Sequence, residues 1–292
     1  MIQNRRTIRN LAIFAFAVLS AGWIGSGLDI LTGGSHAQGI GQLLWIVTPL
    51  MTMVLLRTFA GDGWEDFGFR PGLKRGAVWY AFSLLVFPAC AVVVLGTGFL
   101  AGVTRFPGIS PARVGEYLQL VLLGILPSCI KNIFEEFAWR GYLAPRVSSL
   151  GLPDLAGHIL VGLIWAGWHM PYYLFFFDHA LFAAYTTQGF ITFFPMFFFG
   201  VVALSMIYGE IRLLTRSVWP ALLMHTVSNA FATPLFLNGF IRISPGADIF
   251  VSPGPESIIS IVVYSAIGLG LYRFRKRKPA PLFCNEIEPA RR

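Results

Sequence analysis

Charged side chains are scarce in this sequence. They account for 12% of its 292 residues, whereas about a quarter of the residues in a soluble domain are charged because such side chains cover its surface. Hydrophobic residues make up 55%, and 27 phenylalanines are among them. This balance excludes a water-soluble enzyme, a disordered tail protein and a nucleic-acid-binding protein, and it indicates a polytopic membrane protein.

Cysteines are few, and the signatures of several protease classes are missing. Cys90, Cys129 and Cys284 have neither a metal-ligand spacing nor a pairing pattern, so they predict no disulfide framework. No serine lies in a nucleophile elbow, no pair of aspartates faces each other across two spans, and no HExxH motif occurs. These absences argue against the serine, aspartyl and metallopeptidase forms of membrane proteolysis.

Eight apolar runs are long enough to cross a bilayer, since about 20 helical residues span its hydrocarbon core. The first run resembles the start of a signal peptide, but it continues past Gly25, so we expect a retained anchor. The sequence shows no internal repeat and no soluble domain. The predicted fold is an all-α transmembrane helix bundle of about eight spans. The runs cover residues 11–31, 40–58, 77–103, 117–134, 155–177, 190–208, 218–237 and 257–271.

Basic residues lie at both ends and in alternate connections, which predicts that both termini are cytoplasmic. The connections expected on the opposite side hold only Arg105, Arg113 and Arg242. The net charge of +8 therefore fits the anionic head groups of a lipid bilayer and calls for no nucleic-acid partner. We expect a multi-pass integral protein of the cell membrane.

Ionisable residues inside a bilayer are energetically expensive, so each one invites a functional hypothesis. The segment NIFEEFAWRG continues span four toward its cytoplasmic end. Glu136 and Arg140 are i,i+4 neighbours in the favourable order and can pair. Glu135 lies about 100° round the helix, so we expect a carboxylate beside Trp139, without a cation, that can accept a proton from water. A structural ion pair at a helix end would explain the same residues.

Two histidines lie on later spans. His169 follows Trp165 by one turn in WAGWHMPYY, and Pro171 predicts a kink or a helix end beside it. On span seven, His225 and Asn229 are i,i+4 neighbours that point the same way and can donate hydrogen bonds to a developing oxyanion. Histidines packed against neighbouring helices, and polar contacts between helices, would account for them without catalysis.

Taken together, the three motifs resemble those of the CPBP intramembrane proteases, a family of CAAX proteases and bacteriocin-processing enzymes also called ABI proteins. That family carries EExxxR, an aromatic residue separated by three positions from a histidine, and HxxxN, in this order and on separate helices. Trp165 stands where the family usually has phenylalanine. The motifs here are Glu135-Glu136-Phe-Ala-Trp-Arg140, Trp165-Ala-Gly-Trp-His169 and His225-Thr-Val-Ser-Asn229.

The resemblance also divides the chain, which we treat as a single integral membrane domain of residues 1–292. The loop 64–71, WEDFGFRP, is similar to a segment that precedes the family's core, so the core is expected over 64–230. Two spans in 1–63 precede it. An outer loop and the last span occupy 231–278, and 279–292 form a polar cytoplasmic tail.

The resemblance implies a glutamate endopeptidase that uses no metal or other cofactor. Glu135 would be the general base that activates water, and His169 would place or polarise that water. His225 and Asn229 would hold the oxyanion, while Glu136 and Arg140 would brace the site together with Trp165. The substrate would be a peptide or protein, prenylated in one branch of the family and membrane-embedded in others.

Two other functions use the same residues. Glu135, Glu136, His169 and His225 are a conceivable zinc ligand set for a metal-dependent membrane peptidase. A non-catalytic immunity or partner-binding protein on the same fold would need the polar cluster only for binding. A transporter is disfavoured because the chain lacks an inverted repeat.

Overall fold

The computed structural model describes residues 2–34 and 39–277 and shows an almost wholly helical protein. The predicted tail 279–292 and Cys284 lie outside these residues. The long helices are α1 (Ile2–Thr32), α2 (Ile40–Phe59), α3 (Leu73–Leu100), α4 (Pro111–Ala138), α6 (Asp154–Pro171), α8 (Phe190–Thr215), α9 (Trp219–Leu237) and α11 (Ile258–Arg277). The short ones are α5 (Ala144–Ser148), α7 (His179–Tyr185) and α10 (Asp248–Val251).

Within the described residues, seven helices are long and apolar enough to cross a membrane, and the all-α polytopic bundle is confirmed. The expected span seven forms α9, with 19 residues, but α9 is not one of the seven. Its polar residues His225 and Asn229 lower its hydropathy, and His225 lies inside the protein. By length and composition, seven of the about eight expected spans therefore qualify. The orientation of the termini stays a prediction.

The helices pair closely where small residues replace bulky ones. A Cβ atom added to Gly25 of α1 would lie 2.5 Å from the carbonyl oxygen of Gly41 on α2. Only glycine permits this approach of two backbones, as is common where membrane helices pack. Phe14 and Val18 of α1 are buried in the main core. The two N-terminal helices are thus joined to each other and to the rest of the bundle.

Helix α4 runs along the edge of the bundle for most of its length. Its first part exposes Leu118, Leu122 and Leu126 by more than half, whereas Asn132, Glu135 and Glu136 near its end are fully buried. The buried end of α4 is therefore polar and its exposed part is apolar, as expected for a helix whose exposed part faces lipid.

Two π-helical segments interrupt the regular α-helical geometry. A π-helix over Trp139–Leu143 continues α4 into α5, and another over Tyr172–Phe176 follows Pro171 at the end of α6. The second confirms the irregular backbone that Pro171 predicts beside His169. Single π-turns of this kind occur often at functional sites.

The segment between α9 and α11, expected as an outer loop with three prolines over residues 238–256 and hence as extended chain, is instead folded. Strand β2 (Arg242–Ile243) pairs antiparallel with β1 (Thr104–Arg105), which follows α3. Asp248 of α10 accepts hydrogen bonds from Thr186 and Thr187, which follow α7. The loop is therefore folded back onto the connections on its own side of the bundle.

Candidate active site

The carboxylate of Glu135 is the centre of a buried polar cluster. Glu135 is fully buried, and its Oε2 lies 3.9 Å from Nε2 of His169 on α6. The same Oε2 accepts a hydrogen bond of 3.1 Å from the indole Nε1 of Trp165. The first and second motifs, 30 residues apart along the chain, therefore meet at one carboxylate.

A cation also reaches Glu135, contrary to the sequence prediction. Nζ of Lys131 lies 2.5 Å from Oε1 of Glu135, and its side chain is 42% exposed. Lys131 precedes Glu135 by one helical turn, so this i,i+4 neighbour could have been found in the sequence. The prediction that Glu135 lacks a cation is wrong, because it considered only the basic residue that follows.

The pairing of Glu136 with Arg140 is confirmed. Nη1 of Arg140 lies 3.2 Å from Oε1 of Glu136, and both side chains are buried. The guanidinium lies between two aromatic rings, 4.2 Å from the centroid of Trp165 and 4.3 Å from that of Tyr208. These contacts compensate part of the cost of burying the guanidinium. No sequence motif indicated Tyr208, which lies on α8.

The third motif joins the cluster through Glu136. Nδ1 of His225 donates to Oε1 of Glu136 over 2.8 Å, since a carboxylate can only accept. Asn229 instead donates from Nδ2 to Oδ1 of Asn132 over 3.1 Å. His225 and Asn229 thus lie beside the same part of α4. Each of them donates one hydrogen bond to a residue of α4, and the i,i+4 spacing alone did not predict these partners.

Hydrogen bonding fixes the tautomer of His169. Its Nδ1 lies 2.9 Å from the carbonyl oxygen of Trp165, so Nδ1 carries the hydrogen. In the neutral ring, Nε2 is then an acceptor, and it faces Oε2 of Glu135, also an acceptor. A molecule that donates two hydrogen bonds, such as water, would satisfy both atoms at this separation.

Two arginines hold the backbone that follows Arg140. Arg57 of α2 donates from Nη2 to the carbonyl oxygen of Gly141, and Arg212 of α8 donates from Nε to that of Arg140 over 2.9 Å. Arg212 and Arg57 also bind Asp66 of the loop between α2 and α3. The predicted core loop 64–71 is therefore attached to the first motif, although its sequence did not identify these partners.

The two glutamates and two histidines of this site are the zinc ligand set considered above. Among the residues that the structure describes, no group of three or more His, Cys, Asp or Glu side chains is placed to hold a metal ion. Glu135 and Glu136 are each occupied by a cation and by hydrogen-bond donors. A zinc ion bound by these two carboxylates would have to displace these contacts.

The fold and the site thus define a multi-pass helical membrane protein with a buried glutamate, two histidines and an asparagine. Residues 117–231 match the family described as type II CAAX prenyl endopeptidase Rce1-like. The match assigns an Rce1-like domain of the CPBP family to residues 117–231, and it supports a membrane protease of the CAAX type. No curated protein is found to match the sequence.

The matched segment contains all three motifs. It ends within one residue of the expected core boundary at 230, but it begins at 117 and leaves residues 64–116 outside. Helices α1 to α3 are therefore additional to the matched segment. A CAAX-type protease family implies a peptide or protein substrate in the membrane.

Proposed function

We propose that this protein is an intramembrane endopeptidase of the CAAX-protease type in which Glu135 activates the attacking water. The observation that carries the proposal is the 3.9 Å separation between Oε2 of the buried Glu135 and Nε2 of His169. Two hydrogen-bond acceptors at this separation suit a water molecule that donates to both, at about 2.8 Å from each. The lone pairs of that water are then free to attack a carbonyl carbon.

The proton released on attack passes to Glu135, which is the general base in this scheme. His169 holds the second hydrogen of the water and so sets the direction of the attacking lone pair. Protonated Glu135 is then in position to give its proton to the leaving amine. The neighbouring Trp165 indole donates to Oε2 and keeps the carboxylate in this orientation.

The oxyanion of the tetrahedral intermediate would be held by His225 and Asn229. His225 directs Nδ1 to Glu136, so its Nε2 can donate to the oxyanion when the ring is protonated, with the Glu136 carboxylate beside it to balance the charge. Asn229 has a second amide hydrogen besides the one given to Asn132. Glu136 and Arg140 would brace both halves of the site.

An apolar substrate group is compatible with the surroundings of His169. The ring of Phe197 lies 5.6 Å from the imidazole, and Tyr173 and Phe193 pack against Phe197. We propose entry from the cytoplasmic side of the cell membrane, where the basic connections are predicted to lie. The experiment that follows compares a prenylated substrate with unmodified ones.

The test incubates purified protein with a prenylated CAAX peptide and with unmodified peptides, and follows cleavage by mass spectrometry. We expect wild type to cleave and Glu135→Gln to lose at least about a hundredfold in rate, since general-base catalysis contributes about 10² to 10⁴. Glu116→Gln, on the exposed start of α4, is the matched control. Equal cleavage by Glu135→Gln would refute the mechanism.

Two further experiments distinguish the proposed function from the zinc-dependent and the non-catalytic alternatives. Cleavage that persists in strong chelators and in metal-free protein argues against the zinc site. A Glu135→Gln protein that still gives full protection in a bacteriocin-immunity assay, combined with no cleavage by wild type, would favour the non-catalytic function.

A further inference from the structure

Helix α2 contacts the second motif through a pair of tryptophans. Nε1 of Trp45 donates to the carbonyl oxygen of Trp168 over 2.8 Å, and Nε1 of Trp168 donates to that of Trp45 over 3.3 Å. Their rings stack with centroids 4.1 Å apart and planes 13° apart. Both side chains are buried. The two reciprocal hydrogen bonds and the stacked rings together fix the position of Trp45 relative to Trp168.

This pair adjoins His169. The Trp168 ring meets the imidazole edge-on at 4.7 Å, and the Trp45 ring lies 6.3 Å from it. Trp45 also stacks on Tyr172, one turn later, at 5.0 Å. Trp45 therefore contacts residues on both sides of His169, through the backbone of Trp168 and the ring of Tyr172.

Helix α1 supports the tryptophan pair from behind. A Cβ atom added to Gly22 would lie 2.6 Å from Cβ of Pro171 and 2.9 Å from Cδ1 of Trp45. A side chain at this position would push either the α6 terminus or Trp45 out of place. The packing at this point is dense enough to transmit such a shift to His169.

The same helix α2 reaches the first motif with Arg57. Arg57 follows Trp45 by 12 residues, which is about 18 Å along a helix. The guanidinium is buried and donates to the carbonyl oxygen of Gly141, directly after Arg140. Helix α2 thus contacts both α6 near His169 and the backbone that continues α4 beyond Glu135, the two elements whose separation sets the water site.

We propose that Trp45 is a positioning residue for His169, and that α2, which lies outside the matched segment 117–231, is part of the catalytic unit. The inference rests on the proposed function. Trp45 sets the distance between Nε2 of His169 and Oε2 of Glu135 without touching the substrate. Small displacements of catalytic groups cost large factors in rate, about a hundredfold for 1 Å.

The test compares Trp45→Phe with wild type, Glu135→Gln and the matched control Trp79→Phe. Phenylalanine keeps an aromatic ring at position 45 but removes the hydrogen bond that the indole donates to the carbonyl oxygen of Trp168. Trp79 lies on α3 and packs against Phe82 and Phe274. We expect kcat of Trp45→Phe to fall about tenfold or more with KM within about twofold of wild type, while Trp79→Phe keeps both values.

A second readout does not depend on activity. Acylation by diethyl pyrocarbonate, mapped by peptide mass spectrometry, reports the accessibility and orientation of each imidazole. We expect His169 to react faster in Trp45→Phe than in wild type, with His225 unchanged as the internal reference. Equal acceleration at both histidines together with a lower unfolding temperature would mean loosened packing and would overturn the proposal, as would wild-type kcat in Trp45→Phe.

The two proposals fail in different ways. Cleavage by Glu135→Gln at the wild-type rate removes the proposed function, whereas the acylation of His169 still tests the role of Trp45. Loss of cleavage in Glu135→Gln with unaltered kinetics and acylation in Trp45→Phe removes only the inference about α2.

Discussion

The ammonium group of Lys131 lies 2.5 Å from Oε1 of Glu135, one helical turn away on α4. Glu135 is fully buried, whereas the lysine side chain is 42% exposed. The lysine therefore extends from the edge of the bundle to a carboxylate inside it. It occupies one oxygen of Glu135 and leaves the other, Oε2, directed toward Trp165 and His169.

Removal of this cation should weaken the fold. We expect Lys131→Met to lower the free energy of unfolding in detergent by about 1 kcal/mol, because the buried carboxylate loses a partner while the exposed lysine limits the effect through solvent screening. Thermal unfolding of Lys131→Met, Glu135→Gln and the double variant measures the coupling between the two residues. Strictly additive losses would show that the pair has no coupling, and Lys131→Arg should retain most of the stability.

The pair Glu136 and Arg140 should matter more for folding. Arg140→Ala leaves a buried carboxylate without its cation and should cost about 3–5 kcal/mol. Arg140→Lys keeps the charge but loses the planar group between Trp165 and Tyr208, so we expect only partial recovery. The measurement is the folded fraction after solubilisation, together with the unfolding temperature.

The matched control for this ion pair is Arg113 with Glu116, which are i,i+3 neighbours with more exposed side chains on the same helix. Glu116→Ala should cost at most about 1 kcal/mol. If Arg140→Ala unfolds at the wild-type temperature, the buried pair does not brace the site, and any loss of cleavage then has another cause.

How far the sequence predicts this site depends on how far apart the partners lie along the chain. The Glu136–Arg140 pair was predictable because helical spacing alone brings the two residues together, and the irregular turn beside His169 followed from Pro171. Lys131 could have been predicted by the same spacing. The contact of Trp45 with Trp168 could not, since 123 residues separate them and only the tertiary packing of the helices brings them together.

The absence of α9 from the helices that qualify as spans has a related physical reason. Hydropathy averages over all faces of a helix, so it cannot distinguish polar residues that face the protein interior from those that face lipid. On α9, His225 faces Glu136 and Asn229 faces Asn132. These residues place α9 at the candidate site, and their polarity also removes it from the helices that qualify as spans by composition.

Two substitutions on α9 test the proposed oxyanion site. We expect His225→Ala and Asn229→Ala each to lower kcat by about 10² to 10³, the usual cost of losing one oxyanion donor. Asn238→Ala, at the exposed end of α9, is the control and should cleave like wild type. Cleavage assays with the prenylated peptide give kcat and KM separately, and a change confined to KM would place these residues in substrate binding instead.

The pH dependence of stability should be governed in part by Glu256, in the loop before α11. Glu256 is fully buried, and it accepts hydrogen bonds from the hydroxyls of Tyr185 and Ser252. Burial raises the pKa of Glu256 above its ordinary value of 4.5, although both hydrogen bonds act in the opposite direction. The folded protein therefore binds this proton more tightly than the unfolded chain does. The associated stability is fully present below pH 4.5 and is lost as the pH rises through the raised pKa.

Glu256→Gln cannot ionise, so we expect its unfolding temperature to exceed that of wild type increasingly as the pH rises above 4.5. Asp248 is the control of opposite sign. Burial would raise its pKa, but hydrogen bonds from Thr186 and Thr187 outweigh burial and lower the pKa below the ordinary 3.8. Asp248→Asn should thus lose stability at neutral pH and approach wild type as the pH falls. Parallel profiles for Glu256→Gln and wild type, measured by thermal unfolding at a series of pH values, would mean that Glu256 is not the group that titrates.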